Sequence, residues 1–357
     1  MKKISVLLTA AGGFGIPGTI DCLKNNKDGR KIRVICSDMV DQPIVHFKAD
    51  KFYLLPKGNS KKYLEKLIKI CKKEEINVIM PGSSPEIITI SKNIKKLRSQ
   101  KIVPTVSEFR VIKKIMNKHM TYEILKKNNI PVPKFYRVRN EDQFKLAIHK
   151  LGYPKKTICF KPSSYLLSGG SRGFRILRKK NSIEKIILKN KPGSVELDYN
   201  TSLRMVKKMK NIDLLIMEFL PGAEYSVYVL ANKGKMEYCV PHIRQRLEQH
   251  YSFEAEVKKN KKIFEICKKV TEILNLDYNV NIQIRLSSQG KPKIIEINPR
   301  MGGTISLSAA AGINLPYLAI NLALNEQLPK KKIVYNTKMI RYWKEFFVNN
   351  NTHVEIL

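Results

Sequence analysis

The sequence predicts a mixed α/β and α+β protein, in which an amino-terminal Rossmann-like sheet precedes a second part with paired strands. Two patterns carry this prediction. Up to about residue 110, short apolar runs alternate with amphipathic stretches at helical spacing, which is typical of a parallel sheet covered by helices. Beyond residue 150, pairs of apolar runs are joined by turns rich in glycine and proline, which is typical of antiparallel strands.

The amino-terminal part begins with an apolar strand at residues 4–8 and a glycine-rich turn. Gly13, Gly15 and Gly18 fit the dinucleotide-binding pattern Gly-x-Gly-x-x-Gly, and a second strand at 32–36 leads to Asp38. NAD binding and a structural turn both stay open, because any tight turn from strand to helix favours glycine. Further strands are expected at 51–55, 78–80 and 102–103, and a helix at 61–73.

The loop after residue 80, Pro81-Gly-Ser-Ser-Pro-Glu86, lies at the carboxyl end of a predicted strand. Open α/β sheets bind their ligands at this edge. Glu86 is therefore a candidate substrate contact. It is equally a candidate for capping the next helix through the first-turn dipole.

A lysine and a glycine-rich loop give the strongest local signal of the middle region. Lys161 ends a strand predicted over 157–161, and Pro162 is followed by Ser163-Ser-Tyr-Leu-Leu-Ser-Gly-Gly-Ser-Arg-Gly173 and a return strand at 174–177. Small residues leave backbone N–H groups free to converge on an anion, although the spacing is not that of a P-loop. A flexible hairpin tip is the alternative. Upstream, Lys118 lies in an amphipathic segment that ends at Asn128.

Two apolar runs over residues 213–230 are joined by Pro221 and Gly222. They predict either a hairpin or a strand, a hinge and a second strand. The backbone of such a hinge can bond the edge of an adenine, and Glu218 or Glu224 can accept ribose hydroxyls. Further on, Arg244 and Arg246 would share one face of an extended segment, as surface charge or as an anion site.

The segment from residue 293 to 303 suits a hard cation. In a strand, Glu296 and Asn298 project to one side while Ile295 and Ile297 pack on the other. A carboxylate beside an amide oxygen suits Mg²⁺. Pro299 ends the strand and Arg300 supplies a fixed positive charge. A strand over 278–286 with a turn at Gln289-Gly290 brings Gln283 opposite this face as a third oxygen donor.

Composition limits the remaining classes. Lys and Arg number 67 against 30 Asp and Glu, so the net charge is +37, but the lysines are scattered over every segment. We interpret the charge as compositional, and keep a basic nucleic-acid-binding protein as the alternative of another class. The six cysteines show no Cys-x-x-Cys, which predicts reduced thiols and a cytoplasmic protein. The uncharged stretch at 301–325 predicts a buried helix and turn rather than a membrane span.

The order of five segments resembles the ATP-grasp superfamily, in the branch of the carbamoyl-phosphate synthetase large subunit and related carboxylate–amine ligases. The segments are Lys118, Lys161 with its loop, Met217-Glu-Phe-Leu-Pro-Gly-Ala-Glu224, Asn281-Ile-Gln283 and Glu296-Ile-Asn-Pro-Arg300. The resemblance covers about residues 1–325. It implies a Rossmann-like pre-ATP-grasp sheet over 1–110, a first ATP-grasp subdomain with a glycine-rich lid over 111–215, a second with a Mg²⁺ site over 216–330, and a tail over 331–357.

The same resemblance implies roles for individual residues. Lys118 and Lys161 would hold ATP phosphates, Glu296, Asn298 and Gln283 would bind Mg²⁺ (or Mn²⁺), and Lys161 and Arg300 would act in catalysis. The remaining nucleotide contacts would come from the lid and the hinge: Ser168, Gly169, Gly170, Ser171, Gly173, Glu218, Phe219, Leu220 and Glu224. Gln283 departs from the family pattern, because many relatives have an acid there. Glu86, Arg244 and Arg246 are candidate substrate contacts.

The implied reaction is phosphoryl transfer from ATP to a carboxylate, followed by attack of an amine on the acyl phosphate. A carboxyphosphate-forming enzyme that uses bicarbonate is the alternative within the fold. The expected partners are a small-molecule carboxylate and an amine, with no membrane and no nucleic acid. A homodimer stays open, and the sequence does not identify either substrate.

Overall fold

The structure is a computed structural model that describes residues 4–165, 173–178, 195–209, 211–248, 251–342, 347–349 and 352–354. The predicted lid residues Ser168, Gly169, Gly170 and Ser171 lie outside these ranges. The chain divides into two compact units. The first contains Met1–Lys113, Ala223–Ile284 and Glu296–Leu357, and the second contains Lys114–Gly222 and Arg285–Ile295. The domain boundaries expected at 110, 215 and 330 stay a prediction.

The amino-terminal sheet lies in the first unit. Its strands, within the described ranges, are β1 (Ile4–Thr9), β2 (Ile32–Asp38), β3 (Lys51–Leu54), β4 (Val78–Met80) and β5 (Val103–Pro104). They are parallel in the order β3-β2-β1-β4-β5. The helices of this region are α1 (Ile16–Lys24), α2 (Pro43–Lys48), α3 (Tyr63–Lys73), α4 (Ser84–Lys92), α5 (Ile94–Arg98) and α6 (Phe109–Ile115). The predicted Rossmann-like sheet is therefore confirmed.

The second unit contains a mostly antiparallel sheet. Its described elements are α7 (Lys118–Lys127), β6 (Phe135–Val138), α8 (Glu141–Lys150), β7 (Ile158–Pro162), β8 (Arg175–Leu177), β9 (Glu196–Leu197), α9 (Tyr199–Lys208) and β10 (Leu214–Glu218). The strands lie in the order β6-β10-β7-β8-β9. β8 returns antiparallel to β7, as the sequence predicted. Phe144 and Phe160 meet edge to face at 5.8 Å in its core.

The carboxyl-terminal part of the described chain forms a larger sheet. Its strands are β11 (Glu224–Asn232), β12 (Lys235–Glu248), β13 (Tyr251–Val257), β14 (Tyr278–Leu286), β15 (Pro292–Asn298) and β16 (Lys338–Ile340), in the order β15-β14-β11-β12-β13-β16. The helices are α10 (Lys261–Leu274), α11 (Ile305–Ala310) and α12 (Leu315–Ala323). A short hairpin of β17 (Phe347–Asn349) and β18 (Thr352–Val354) follows.

One hydrophobic core joins the three chain segments of the first unit. Val6 of β1, Tyr228 of β11 and Leu318 of α12 are buried in the same cluster. Burial of such side chains stabilises the fold by about 2 kcal/mol each. The uncharged stretch at 301–325 is thus two short buried helices and their turn, as predicted. No helix of the described residues is both long and apolar enough to cross a membrane.

Two strand expectations are resolved by the structure. β10 and β11 belong to different sheets, so the Pro221-Gly222 segment is a hinge between strands and not a hairpin turn. The expectation that Ile295 is buried opposite Glu296 is wrong. Ile294 and Ile297 are buried while Ile295 is half-exposed. The division between the two compact units falls after Ile295, within β15.

Candidate active site

Lys118 begins helix α7 in the second unit. The side chain of Asn117 caps this helix by accepting a hydrogen bond from the backbone N–H of Met120 (3.0 Å). The backbone N–H of Lys118 donates to the carbonyl of Ser163 at 2.8 Å, which fixes the start of α7 beside the end of β7. Lys118 is buried, with 6% of its surface exposed.

Lys161 is a buried lysine on β7, also 6% exposed. Its Nζ donates to the carbonyl of Ile295 (2.7 Å) and to the hydroxyl of Tyr122 (3.4 Å). The Tyr122 hydroxyl donates to the same carbonyl at 2.8 Å, and Nζ lies 5.4 Å from the centre of the Tyr122 ring. The ammonium group is therefore held by a phenol and a strand carbonyl.

Tyr122 was not among the residues predicted from sequence. It lies four residues after Lys118 on α7, so the two share a helix face. That spacing was visible in the sequence. Its importance was not, because the contact with Lys161 spans 39 residues and the contact with Ile295 spans 173.

Glu218 ends β10 with its carboxylate engaged. Oε1 accepts a hydrogen bond from the backbone N–H of Lys134 at 3.0 Å. It also accepts one from the ammonium group of Lys293. The next residue, Phe219, has the guanidinium of Arg178 at 5.8 Å and that of Arg285 at 5.4 Å from its ring centre.

The hinge that follows requires glycine at its second position. A Cβ on Gly222 would lie 2.7 Å from the carbonyl oxygen of Leu286, and the Gly222 N–H donates to the same oxygen at 3.0 Å. Leu220 is buried. The hinge backbone is therefore held tightly against β14 in the second unit.

Glu224 and Arg244 face each other on β11 and β12 and form an ion pair. Arg244 also donates from Nε to the Ser252 hydroxyl at 2.8 Å. Any ribose contact by Glu224 would therefore share the carboxylate with Arg244. The guanidinium of Arg244 is largely buried, with an exposed side-chain fraction of 11%.

Arg246 lies in different surroundings from Arg244. Its side chain is 51% exposed and contacts Glu254 at 3.0 Å and Glu248 at 3.4 Å. The pairing of β12 with β13 shifts register between the two arginines, as in a β-bulge. The expectation that both arginines share one face of a regular strand does not account for this shift, which period-two reasoning does not detect.

The predicted metal-binding residues lie on adjacent strands. Gln283 is on β14, Glu296 and Asn298 are on β15, and these strands are neighbours in the sheet. All three are half-buried, while the neighbouring Ile282 and Ile284 are buried. Among the residues that the structure describes, no group of three or more His, Cys, Asp or Glu side chains is arranged to hold a metal.

Arg300 follows β15 at the start of a loop that includes residues 301–304. Its backbone N–H donates to the Asn298 carbonyl at 2.8 Å, and Nη1 donates to the Met301 carbonyl at 3.0 Å. These bonds hold the arginine against the end of its own strand. Gly173, the described residue of the predicted lid, precedes β8 in the other unit.

A buried hydrogen-bond network supports the loop after Arg300. Tyr228 bonds the Thr304 hydroxyl (2.9 Å) and accepts the Thr304 N–H (3.0 Å). His242 lies 3.3 Å from Thr304 Oγ1 through Nδ1 and 3.1 Å from the Ser308 hydroxyl through Nε2. Burial lowers the pKa of His242 to about 3, so this imidazole is neutral. Sequence reasoning missed the network because its partners are 62 to 76 residues apart.

Glu86 is buried and caps α4. Its carboxylate accepts the hydroxyl (2.6 Å) and the N–H (3.2 Å) of Ser83 in a capping box. Burial raises the pKa of Glu86, and these bonds partly offset that effect. The contacts are those of the helix-cap alternative, and Glu86 as a whole is 6% exposed.

The glycines of the first turn have packing roles in the first unit. A Cβ on Gly15 would come within 2.9 Å of the Gly303 Cα, and one on Gly18 within 3.0 Å of the Ser306 hydroxyl. Gly15 and Gly18 are therefore explained by the close approach of this turn to the segment after Arg300.

Two family models match parts of this chain. Residues 210–345 match the family described as ATP-grasp in the biosynthetic pathway with Ter operon, and residues 18–106 match the PylC-like N-terminal domain. Over residues 210–345 the chain is therefore similar to ATP-grasp proteins. The predicted superfamily and the predicted ATP-grasp fold are confirmed.

Similar solved structures include enzymes from three bacteria. An N5-carboxyaminoimidazole ribonucleotide synthetase from Thermotoga maritima is 21% identical, over 94% of this chain and 79% of that chain, with a TM-score of 0.59. The biotin carboxylase domain of the 2-oxoglutarate carboxylase from Hydrogenobacter thermophilus, solved with MgADP and bicarbonate, is 17% identical over 95% and 74%, with a TM-score of 0.67. An L-amino acid ligase from Bacillus licheniformis is 15% identical over 91% and 74%, with a TM-score of 0.61.

These ATP-grasp similarities agree with the predicted class of the protein, an ATP-grasp ligase. At these identities the structural likeness itself concerns the fold. The substrates of this chain must be argued from its own residues.

Proposed function

We propose that this protein is an ATP-dependent ligase that activates a carboxylate as an acyl phosphate and joins it to an amine, with release of ADP and phosphate. The observation that carries the proposal is the buried Lys161. Its ammonium group is fixed on the carbonyl of Ile295, in the same strand that carries Glu296 and Asn298. A lysine held in this way is placed to neutralise phosphate oxygens.

In this proposal the second unit supplies nucleotide contacts. Lys118 and Lys161 would bind the phosphates, and the backbone of Phe219 and Leu220 would meet the adenine edge. The guanidinium groups of Arg178 and Arg285 lie close to the Phe219 ring, stabilise it and so support the hinge. In the first unit, Glu224 would contact the ribose while bonded to Arg244.

The residues on β14 and β15 fit a magnesium ion in their donor chemistry. Gln283 and Asn298 supply amide oxygens and Glu296 supplies a carboxylate, all half-buried. With one anionic protein ligand, Mg²⁺ would need phosphate oxygens for the rest of its coordination, which is its usual mode in nucleotide enzymes. Magnesium, when bound, would neutralise charge on the transferring phosphoryl group.

Little covalent chemistry is asked of the protein. The positive charge of Lys161 and Arg300 would stabilise the negative charge that develops during phosphoryl transfer. Positioning the carboxylate against the γ-phosphate supplies much of the remaining rate enhancement. The predicted lid would exclude water that hydrolyses an acyl phosphate.

ADP release with MgATP is the direct test, in a screen of small carboxylates paired with amines. At least one pair should stimulate ADP release in the full chain. Glu296→Ala should lower that rate by about 100-fold or more, because the carboxylate for the metal is lost. The exposed Glu265 on α10 provides the control, and Glu265→Ala should keep the rate of the unmodified protein. Equal rates in both variants would reject the proposal.

A bicarbonate-dependent enzyme is the second candidate. It is favoured by the likeness to the carboxylase domain solved with MgADP and bicarbonate. Bicarbonate alone should then stimulate ADP release, whereas a carboxylate–amine ligase should require the organic acid.

The state of the cysteines supports a proposal for the cellular location of the enzyme. All six cysteines lie in the described ranges, buried and without disulfides. Reduced thiols are typical of a cytoplasmic protein, which is the location we propose. A homodimer is an open proposal that light scattering would test.

A further inference from the structure

An aromatic pair lies on the surface of the first unit. The rings of Phe14 and Tyr251 stack with centres 4.5 Å apart and planes inclined by 19°. Phe14 comes from the turn between β1 and α1, and Tyr251 begins β13. Phe14 is 41% exposed and Tyr251 is 46% exposed. Two large rings from distant segments are thus held together while much of their surface faces outward.

Arg341 holds this pair from one side. Its guanidinium carbon lies 5.2 Å from the centre of the Phe14 ring. Nη1 donates to the Ser252 carbonyl at 3.0 Å, and Nη2 donates to the Gly303 carbonyl. Both carbonyls are neutral acceptors, so they leave the positive charge uncompensated.

Arg341 carries its charge at a half-buried position. Among the described residues, no Asp or Glu forms an ion pair with it, although its side chain is half-buried. Burial lowers the pKa of Arg341, as expected for a cation removed from water. A half-buried cation without an anion is costly, and an anionic ligand would remove that cost.

The pair and the arginine adjoin the loop after Arg300. The turn that carries Phe14 approaches this loop so closely that a Cβ on Gly15 would lie 2.9 Å from the Gly303 Cα. The turn also follows the carboxyl end of β1, the edge at which open α/β sheets bind ligands. The aromatic surface is therefore continuous with the segment that begins at the catalytic arginine.

Two further arginines of the first unit act electrostatically on Tyr228. Burial raises the pKa of the Tyr228 phenol, and the charges of Arg244 and Arg300 act in the opposite direction. Tyr228 in turn raises the pKa of Arg341. Arg244 is neutralised by Glu224, which leaves Arg300 and Arg341 to attract an anion.

We propose that Phe14, Tyr251 and Arg341 form a binding site for a substrate that carries both a carboxylate and an aromatic or large apolar group. The carboxylate would pair with Arg341, and the apolar group would lie against the exposed faces of Phe14 and Tyr251. This inference rests on the proposed ligase function and names its substrate class.

Binding to the full chain tests the site without requiring turnover. Calorimetric titration with L-phenylalanine should give heat of binding. L-Alanine lacks the ring and phenethylamine lacks the carboxylate, so each should bind about 10-fold more weakly or worse. Equal binding of all three ligands, or of none, would overturn the site. Titration with MgATP in the same preparation separates this failure from failure of the ligase proposal, which predicts nucleotide binding in either case.

Substitutions test which residue binds the aromatic ring of the ligand and which binds its carboxylate. Tyr251→Leu should weaken L-phenylalanine binding about 10-fold and L-alanine binding less than about twofold, since one aromatic face is lost. Arg341→Gln should weaken both amino acids by about 10-fold or more, because both carry the carboxylate. If Arg341→Gln weakened neither ligand, the carboxylate would not be bound there and the proposal would fail.

Phe264 offers a matched control. It is 43% exposed on helix α10 of the same unit, close to the exposure of Phe14. Phe264→Leu should leave all binding unchanged, while Phe14→Leu should reproduce the loss seen with Tyr251→Leu. Steady-state kinetics provide a further test. Tyr251→Leu should raise KM for the aromatic acid and leave kcat within about twofold. Equal effects of Phe264→Leu and Phe14→Leu would refute the assignment.

Discussion

The surroundings of Lys161 in the second unit and the loop after Arg300 in the first unit are built in different ways. Lys161 is a buried cation held by one phenol and one backbone carbonyl. The loop is held by a network of neutral groups that includes Tyr228, His242 and Thr304. The contacts of Lys161 position a charge, whereas the network fixes the backbone of the loop. Substitutions near Lys161 should therefore affect chemistry, and substitutions in the network should affect folding.

The largest expected effect is at Lys161, where a substitution should change chemistry but not folding. Lys161→Ala should lower ligase turnover by about 1,000-fold, because a preorganised positive charge is lost from the phosphoryl transfer step. Its denaturant midpoint should change little, since Tyr122 still donates to the Ile295 carbonyl. Lys155→Ala, at an exposed position in the same unit, is the control and should leave turnover unchanged. If Lys161→Ala unfolded, Lys161 would be needed for folding, and the contrast between the two regions would be contradicted.

The second prediction concerns His242 and pH. Its pKa is about 3 when folded, against 6.5 as the ordinary value, so the folded state binds fewer protons than the unfolded state below pH 6.5. Stability is complete above pH 6.5 and falls as the pH drops towards 3. Between pH 6.5 and 4.5 the loss should be about 2 kcal/mol.

Urea unfolding at several pH values measures this loss. His242→Gln can keep hydrogen bonds without titrating, so the variant should show a flatter pH dependence over the same interval. His149→Gln, at an exposed histidine of the second unit, should keep the steep dependence of the unmodified protein. Identical slopes for all three proteins would show that the imidazole is not the titrating group.

The third prediction compares two adjacent glycines in the loop. A Cβ on Gly302 would lie 2.6 Å from the Tyr228 hydroxyl and from the Asn281 amide nitrogen. Gly302→Ala should therefore destabilise the fold by about 2 kcal/mol through overpacking. Gly303 has no such neighbour within 4 Å, and Gly303→Ala should be nearly neutral. Chemical denaturation of both variants checks the difference, and equal midpoints would contradict the network's role.

The smallest expected effect is at Tyr122. Tyr122→Phe removes the hydroxyl that contacts Lys161 and Ile295 but keeps the buried ring. The rate kcat should fall about 10-fold, since one positioning hydrogen bond is lost. The exposed Tyr136 of β6 provides the control, and Tyr136→Phe should keep the full rate. A loss of stability without a loss of kcat would assign Tyr122 to packing alone.

Much of the fold could be read from local patterns. The parallel strands, the β7–β8 pairing and the short helices after Arg300 agree with the spacing of apolar residues, because each pattern is set by nearby positions. The register shift between Arg244 and Arg246 could not be read in this way. It depends on how β12 meets β13, and the sequence of β12 alone does not contain that information.

The candidate site also has one part that local sequence predicts and another that depends on the tertiary structure. The sequence by itself carried the resemblance to the ATP-grasp superfamily, since Glu296 and Asn298 stand two residues apart and Lys161 directly precedes Pro162 and a glycine-rich loop. Only the tertiary structure decided which groups surround them, including Tyr122 beside Lys161 and Arg341 beside Phe14. The physical reason is that hydrogen bonds and ring contacts act over a few ångströms, and chain folding alone brings residues far apart in sequence within that distance.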